Sequence, residues 1–231
     1  MSVSLAAPVR ECPATDRVLP AHVVLLTNFI PPHQRQLFEE LSRRVERLTI
    51  LISTPMESDR PWTADWGALD VRVLRTWTVR RPWCHPAGFC DRLHVHVPWN
   101  TLSQLWKLQP DVVLSTALGF STAAAAAYKA IRGVPLVVWV GLSEHTERGR
   151  GLARRWLRRR LVRFIDQILV NGASGARYLR QLGFAESRIS RVPYTTEPGL
   201  WDRGLLTRGA ETAYRLLYVG QLNERKGIVP F

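Results

Sequence analysis

The feature that most constrains the fold of this chain is the alternation of short apolar segments with segments of helical period. Residues 22–27 form an apolar run of strand length, and Leu37, Phe38 and Leu41 then follow at helical spacing. Further strands are predicted at residues 48–53, 70–77, 111–115, 135–140, 166–170 and 189–193. Helices are predicted at residues 34–47, 98–108, 121–131, 148–163 and 173–182. Strands that alternate with helices build a parallel sheet covered on both faces, so we predict an α/β fold with a Rossmann-like, doubly wound parallel sheet.

The chain is globular and strongly basic. Of its 231 residues, 46% are hydrophobic and 22% are charged, which excludes a disordered basic tail. Its 32 Lys and Arg outnumber 19 Asp and Glu, for a formal net charge of +13. Eight arginines lie within residues 148–163, with no acidic residue among them. Much of the positive charge is therefore concentrated in one predicted helix.

This arginine-rich helix leaves three interpretations open. It is a solvated helix that packs on the domain through Trp156 and Leu161, a surface for anionic lipid headgroups, or a nucleic-acid surface. Nucleic acid is the least expected partner, because no recognition module or aromatic stacking platform accompanies the charge. The arginines expected to contact an anionic surface are Arg154, Arg155, Arg158 and Arg159.

The cysteines and the N-terminal segment favour a cytoplasmic location. Three cysteines are too few for the disulfide framework of a small secreted domain, and a reducing compartment fits better. Residues 1–20 contain charged residues and prolines instead of the apolar region of a signal peptide. The residues of metal-ligand type follow no zinc spacing, so no metal site is predicted among Cys84, His85, Cys90, His94 and His96.

The sequence changes character near residue 196. We predict a flexible N-terminus over residues 1–20, one domain over residues 21–196 and a linker over residues 197–213. A new strand begins near residue 214, and residues 214–231 are too few to make a domain. We interpret them as the start of a second, truncated domain. Two connections of the first domain, residues 54–67 and 79–89, are rich in Trp and Pro and are predicted to be loops.

Several segments resemble GT-B-fold glycosyltransferases of the family 4 type. The segment LLYVGQLNERKG, residues 216–227, is similar to the opening strand and loop of their C-terminal domain. The segment TNFIPPHQRQLFEEL, residues 27–41, resembles the first β-loop-α unit of their N-terminal domain, and residues 134–151, 166–183 and 188–197 resemble its later strands. The resemblance implies two Rossmann-like domains with a cleft between them, and transfer of a sugar from a nucleotide donor held chiefly by the C-terminal domain.

The resemblance also implies roles for individual residues. Lys226 occupies the position of a cation that stabilises the departing diphosphate, and Gln221 stands where many relatives have Arg. Asn28 and His33 follow the first strand, at the expected edge of the cleft. Glu144 and His145 follow the strand that contains Trp139, where a carboxylate or imidazole can orient or deprotonate an acceptor hydroxyl. The candidate catalytic residues are therefore Glu144, His145 and His33, and the candidate donor-binding residues are Lys226, Gln221 and Asn28.

The predicted function is hexosyl-type glycosyl transfer from a nucleotide-sugar to a lipid-linked or polysaccharide acceptor of the cell envelope. The nucleotide-sugar is a co-substrate, and neither a cofactor nor a metal is expected. The chain is expected to be an N-terminal fragment that is inactive alone, with peripheral attachment to the inner face of the plasma membrane. The alternative is a non-catalytic basic α/β module that binds anionic lipid or nucleic acid.

Overall fold

A seven-stranded sheet organises the chain in the computed structural model, which describes residues 17–60, 62–86, 88–194 and 218. The strands are β1 (Leu19–Thr27), β2 (Val45–Ile52), β3 (Asp70–Val73), β4 (Thr76–Cys84), β5 (Cys90–Pro98), β6 (Val112–Ser115), β7 (Leu136–Val140), β8 (Gln167–Val170) and β9 (Ile189–Arg191). The helices are α1 (Pro32–Arg43), α2 (Thr101–Leu108), α3 (Phe120–Arg132), α4 (Leu152–Leu161) and α5 (Ala173–Leu182), with 3₁₀ turns at Val162–Phe164 and Glu186–Arg188.

The strand order is β3-β2-β1-β6-β7-β8-β9, and every neighbouring pair in this sheet is parallel. The predicted Rossmann-like, doubly wound α/β class is confirmed. β1 lies inside the sheet between β2 and β6, so the chain leaves β1 toward one side first and toward the other side later. The loops after β1 and β6 therefore diverge, and such a divergence is where ligands enter this kind of sheet.

The central strands are buried on both faces of the sheet, and β1 shows why its sequence is a continuous apolar run. Val24 and Leu26 pack into the core on one face, while Val23 and Leu25 pack into the core on the other. Alternate side chains of a strand point to opposite faces, so a strand covered on both sides must be apolar at every position. The larger core includes Tyr128 of α3, which is 1% exposed.

The junction between α1 and β2 differs from the prediction. The helix was predicted to run to residue 47, but α1 ends at Arg43 and β2 begins at Val45. Val45 has helical spacing from Leu41, yet it pairs with Leu19 of β1 and is buried with the sheet. Tertiary pairing therefore decides a segment whose local pattern also fits a helix.

An antiparallel hairpin replaces the loop that was predicted over residues 79–89. β4 and β5 pair in continuous register from Thr76↔Pro98 to Cys84↔Cys90. Most of β4 is exposed on both faces, so its sequence lacks the apolar alternation that predicts a strand. A Cys84–Cys90 disulfide closes the end of the hairpin, a pair that the spacing of the three cysteines did not predict.

The predicted linker and second domain lie outside the described residues, apart from Tyr218. Lys226 and Gln221 also lie there, so their roles stay predictions. None of the helices in the described ranges combines the length and apolar character that crossing a bilayer requires.

Candidate active site

A cavity of about 450 Å³, here called the central cavity, opens at the carboxyl ends of β1, β6 and β7. Asn28 comes from the loop after β1, Thr116 and Gly119 from the loop after β6, and Gly141 from the loop after β7. The hairpin and α4 close its sides. The remaining lining residues are His94, Val95, His96, Ala117, Leu118, Phe120, Ser121, Val140, Leu142, Ala153, Arg154, Leu157 and Arg158. The cavity thus lies at the divergence point of the sheet.

A second cavity of about 270 Å³, here called the side cavity, adjoins the first and shares Asn28, Thr116 and Ala117 with it. His33 and Tyr194 also line it. The predicted pair Asn28 and His33 is therefore brought together at the same edge of the sheet. His33 packs edge-on against Trp62 with ring centroids 6.4 Å apart, which leaves its imidazole beside the cavity wall.

The hairpin reaches the central cavity through a short polar network. His96 is buried, its Nδ1 lies 2.9 Å from Thr78 Oγ1, and its Nε2 lies 3.3 Å from Glu57 Oε1. Burial would raise the pKa of Glu57, but the hydrogen bond with His96 and the nearby Arg60 outweigh it, and the pKa is lowered. Glu57 is therefore an ionised anchor that holds β5 against residues 54–60.

One group of metal-ligand type occurs among the described residues. Ligand atoms of Glu57, Asp59 and His94 lie within 4.8 Å of one another. Cys84 and Cys90 are joined to each other, so neither offers a thiolate. Asp59 is exposed, and the Glu57 carboxylate already contacts His96. The absence of a metal requirement for catalysis stays a prediction.

Comparison with known proteins identifies the family of this domain. Residues 30–195 match the family model described as a glycosyl transferase 4-like domain. The chain belongs to this family. The predicted resemblance to GT-B glycosyltransferases of the family 4 type is thereby confirmed.

Solved structures that match this glycosyltransferase domain include HepE of Anabaena, crystallised in complex with UDP-glucose. The two share 10% sequence identity with a TM-score of 0.53, and the match covers 78% of this chain and 46% of HepE. At that identity the likeness concerns the fold. The glycosyltransferase domain thus spans less than half of the length of that relative. Among curated proteins, no sequence matches the chain significantly.

Two candidate catalytic residues of the glycosyltransferase domain lie on the turn after β7, beside the central cavity rather than in its wall. The Glu144 carboxylate accepts hydrogen bonds from Arg177 Nε at 3.0 Å and from Gln181 Nε2 at 2.9 Å, both on α5. The backbone carbonyl of His145 accepts a 3.0 Å hydrogen bond from His85 Nε2, and the two rings lie 4.6 Å apart. Of the three candidates, His33 lines the side cavity, whereas Glu144 lines a third cavity of about 480 Å³ between the turn after β7, α4 and α5.

The arginine-rich helix, α4, divides its cations between two environments. Arg158 was predicted to contact an anionic surface, but it is 1% exposed, so this prediction is wrong. Its guanidinium pairs with Glu147 and donates a 3.0 Å hydrogen bond to Tyr178 Oη. Arg154 lines the central cavity and lies 3.4 Å from the same Glu147 carboxylate. Arg155 and Arg159 are exposed, as a surface contact requires.

The sequence did not predict that the loop after β6 lines the candidate site or that Arg158 is buried. Thr116 and Gly119 directly follow a strand, which is a signal of a ligand-binding edge. That β6 lies next to β1 depends on strand order, which sequence periodicity does not give. Arg154 and Arg158 lie four residues apart on one face of α4, yet the Arg154 side chain is 41% exposed and the Arg158 side chain 2% exposed, a difference that helical spacing does not give.

Proposed function

We propose that this chain is the acceptor-side domain of an enzyme that transfers a hexosyl group from a nucleotide-sugar to a lipid-linked or polysaccharide acceptor. The observation that carries the proposal is the central cavity at the strand divergence of a glycosyl transferase 4-like domain. HepE, which has the same fold, was crystallised with UDP-glucose, so UDP-glucose is the first donor to test.

In this proposal the acceptor enters the cavities of the described domain. His33 is the candidate base for the acceptor hydroxyl, since it is the candidate that lines one of the two adjoining cavities at the strand divergence. Asn28, shared by both cavities, supplies amide donors and an acceptor that orient a hydroxyl or phosphate. Glu144 and the backbone carbonyl of His145 hold the neighbouring turn in place. Glu144 can act on the substrate only if binding displaces Arg177 from it.

The donor belongs to a second domain that begins near residue 214. Lys226 would stabilise negative charge on the departing diphosphate, and Gln221 would donate a hydrogen bond to it. The match to HepE covers 46% of that protein, which supports a donor half beyond the described residues. The 231 residues alone are therefore proposed to be inactive, and the complete enzyme to need no cofactor or metal.

The test compares the 231-residue chain with the longest product that its gene encodes. Each is incubated with radiolabelled UDP-glucose and other nucleotide-sugars, together with a lipid extract and a polysaccharide fraction. Transfer by the longer product and none by the 231-residue chain supports the proposal. Turnover by the 231-residue chain contradicts its inactivity, and the absence of transfer by either form with every donor contradicts the function.

A matched pair of variants then locates the chemistry. His33→Gln in the longer product should lower kcat by at least about a hundredfold if His33 is the base, because general bases contribute about that much. Gln36→Glu, on the same helix, serves as the control that leaves both cavities unchanged. Unchanged kcat in His33→Gln would assign the base elsewhere.

A further inference from the structure

The charges that line the central cavity do not balance. Arg154 and Arg158 both line it, and both pair with the single carboxylate of Glu147. Among the described residues that line the cavity there is no Asp or Glu. The cluster therefore has one more cation than carboxylates, and the Arg154 side chain, which is 41% exposed, is the cation that a ligand can reach.

The Arg158 guanidinium is also incompletely satisfied. Its Nη1 donates to Glu147 and to Tyr178 Oη. Its Nε is buried and has no hydrogen-bond partner among the described residues. Buried donors nearly always make a hydrogen bond, and a buried donor without one destabilises the folded state. Because Arg158 lines the central cavity, an anionic acceptor of hydrogen bonds bound there would complete its partners.

The opposite wall of the cavity adds backbone donors. Residues 118–121, which include the first turn of α3, line it. Gly119 is the N-cap of this 13-residue helix, it provides no side-chain cap, and the first turn has no acidic residue. The first N–H groups of a helix lack intrahelical partners and favour anions. Two cationic side chains and a helix N-terminus thus converge on one space.

The rest of the wall is apolar. Val95 of the hairpin, Leu118 and Phe120 near α3, Leu142 after β7 and Leu157 of α4 line the same cavity. Phe120 is 51% exposed, so part of this apolar wall faces the opening. A ligand that fits both parts carries an anionic group next to an apolar one.

We propose that the central cavity binds the phosphate or diphosphate of the acceptor, between Arg154, Arg158 and the N-terminus of α3. This rests on the proposed function and selects between its two acceptor classes: the acceptor is a sugar joined through phosphate or diphosphate to an apolar chain, not a neutral polysaccharide. The diphosphate of the donor has the same chemistry, and the experiment separates the two sources.

The experiment is calorimetric titration of the 231-residue chain with inorganic pyrophosphate, geranyl diphosphate and uridine diphosphate. Pyrophosphate is expected to bind, and Arg154→Gln to weaken it by at least about tenfold, as the loss of a charge-assisted hydrogen bond does. Arg160→Gln is the matched control, because Arg160 is an exposed residue of the same helix and lines neither the central nor the side cavity. Ala153→Glu adds a carboxylate to the cavity wall without touching the Glu147 cluster, and it is expected to abolish binding.

Geranyl diphosphate is expected to bind more tightly than pyrophosphate, since its chain meets the apolar wall. The proposal is overturned if pyrophosphate does not bind, if Arg160→Gln weakens binding as much as Arg154→Gln, or if uridine diphosphate binds more tightly than geranyl diphosphate. If Arg154→Gln does not fold, Ala153→Glu decides the result. These titrations need no turnover, so failure to detect glycosyl transfer counts against the proposed function and leaves the binding result standing.

Discussion

Thr116 Oγ1 donates a 2.8 Å hydrogen bond to Thr27 Oγ1, which joins the ends of β6 and β1. Thr27 in turn donates to the backbone carbonyl of Phe29 at 3.2 Å. The loops after the two central strands are therefore connected at the point where they diverge. Because Thr116 lines both cavities, this pair of hydroxyls sets the floor of the candidate active site.

Thr116→Val is expected to destabilise the fold by about 1 kcal/mol, because it keeps the shape of the side chain and removes one hydrogen bond to a buried hydroxyl. Urea denaturation followed by circular dichroism measures the change. Thr63→Val is the matched control, since Thr63 is exposed and makes no side-chain hydrogen bond to the described residues. Equal stability of Thr116→Val and the wild type would show that the hydroxyl pair contributes nothing.

Arg158→Gln is expected to lower the free energy of unfolding by about 3 kcal/mol. This is the lower end of the range for breaking a buried ion pair, because Arg154 stays near Glu147. The Glu147 side chain is 4% exposed, so little water can replace the lost partner. Arg159→Gln, exposed on the same helix, should change the free energy of unfolding by less than about 0.5 kcal/mol.

A double variant separates the ion pair from simple packing. Glu147→Gln combined with Arg158→Gln should be more stable than Arg158→Gln alone, because it removes a buried carboxylate whose one remaining cation, among the described residues, is Arg154 at 3.4 Å. Urea denaturation of the four proteins gives the coupling energy. Additive losses would mean that the two side chains do not interact.

Asp166 makes the stability of the fold depend on pH in the acid range. Burial would raise the pKa of this carboxyl, but hydrogen bonds from Lys129 and from the backbone N–H of Leu136 lower it below the usual 3.8. The folded state thus binds the proton more weakly than the unfolded state does. The stabilisation is present above the unfolded-state pKa and is lost as the pH falls through the lower folded-state pKa.

Asp166→Asn is therefore expected to be less stable than the wild type at neutral pH, with a difference that shrinks as the solution is acidified below 3.8. Thermal melts across this range measure it. Asp59→Asn is the control, because the Asp59 carboxylate is exposed and makes no ion pair with the described residues. A difference between Asp166→Asn and the wild type that stays constant with pH would contradict this account.

The parallel sheet could be predicted from sequence because its central strands are apolar on both faces. In β1, residues 23–27 are all buried, and the segment that follows has the spacing of a helix. The hairpin could not be predicted, because Trp77 and Val79 of β4 are exposed and its stability depends on pairing with β5. Local pattern reports burial, and a strand held by a partner without burial leaves little trace in it.

The same limit applies to the candidate site. Asn28 and His33 were identified because they follow the first strand directly, a position that sequence can give. The inward direction of Arg158 depends on where Glu147 lies after the turn that follows β7, and helical spacing alone does not contain that information. Charge density predicted a basic helix correctly, but it did not predict which arginines face inward.

The Cys84–Cys90 disulfide predicts how many free thiols the protein contains. Protein purified without reductant and then unfolded should titrate two thiols fewer than the three cysteines of the sequence, and peptide mapping should recover the cross-linked hairpin. Closing this short loop is expected to contribute about 2 kcal/mol through the unfolded state. Cys84→Ser together with Cys90→Ser measures that loss by urea denaturation. Three free thiols in freshly purified protein would mean that the pair is reduced where the protein is made.

The exposed part of α4 predicts binding to an anionic membrane surface. Arg155 and Arg159 are exposed there, beside Leu152 at 84% and Trp156 at 59% exposure. Cations next to exposed apolar side chains are typical of a helix that lies at a membrane interface. Arg155→Gln with Arg159→Gln should weaken binding to phosphatidylglycerol vesicles by about tenfold or more, at about 1 kcal/mol for each arginine.

Vesicle sedimentation measures this binding, and added salt should weaken it in the wild type. Arg43→Gln with Arg44→Gln is the matched control, because it removes the same charge from exposed positions near the end of α1. If both double variants lose binding equally, net charge and not α4 attracts the protein to vesicles. Binding that stays at the wild-type level in the α4 variant would show that Arg155 and Arg159 form no membrane surface, and the excess arginines of this helix would then serve the cavity side through Arg154 and Arg158.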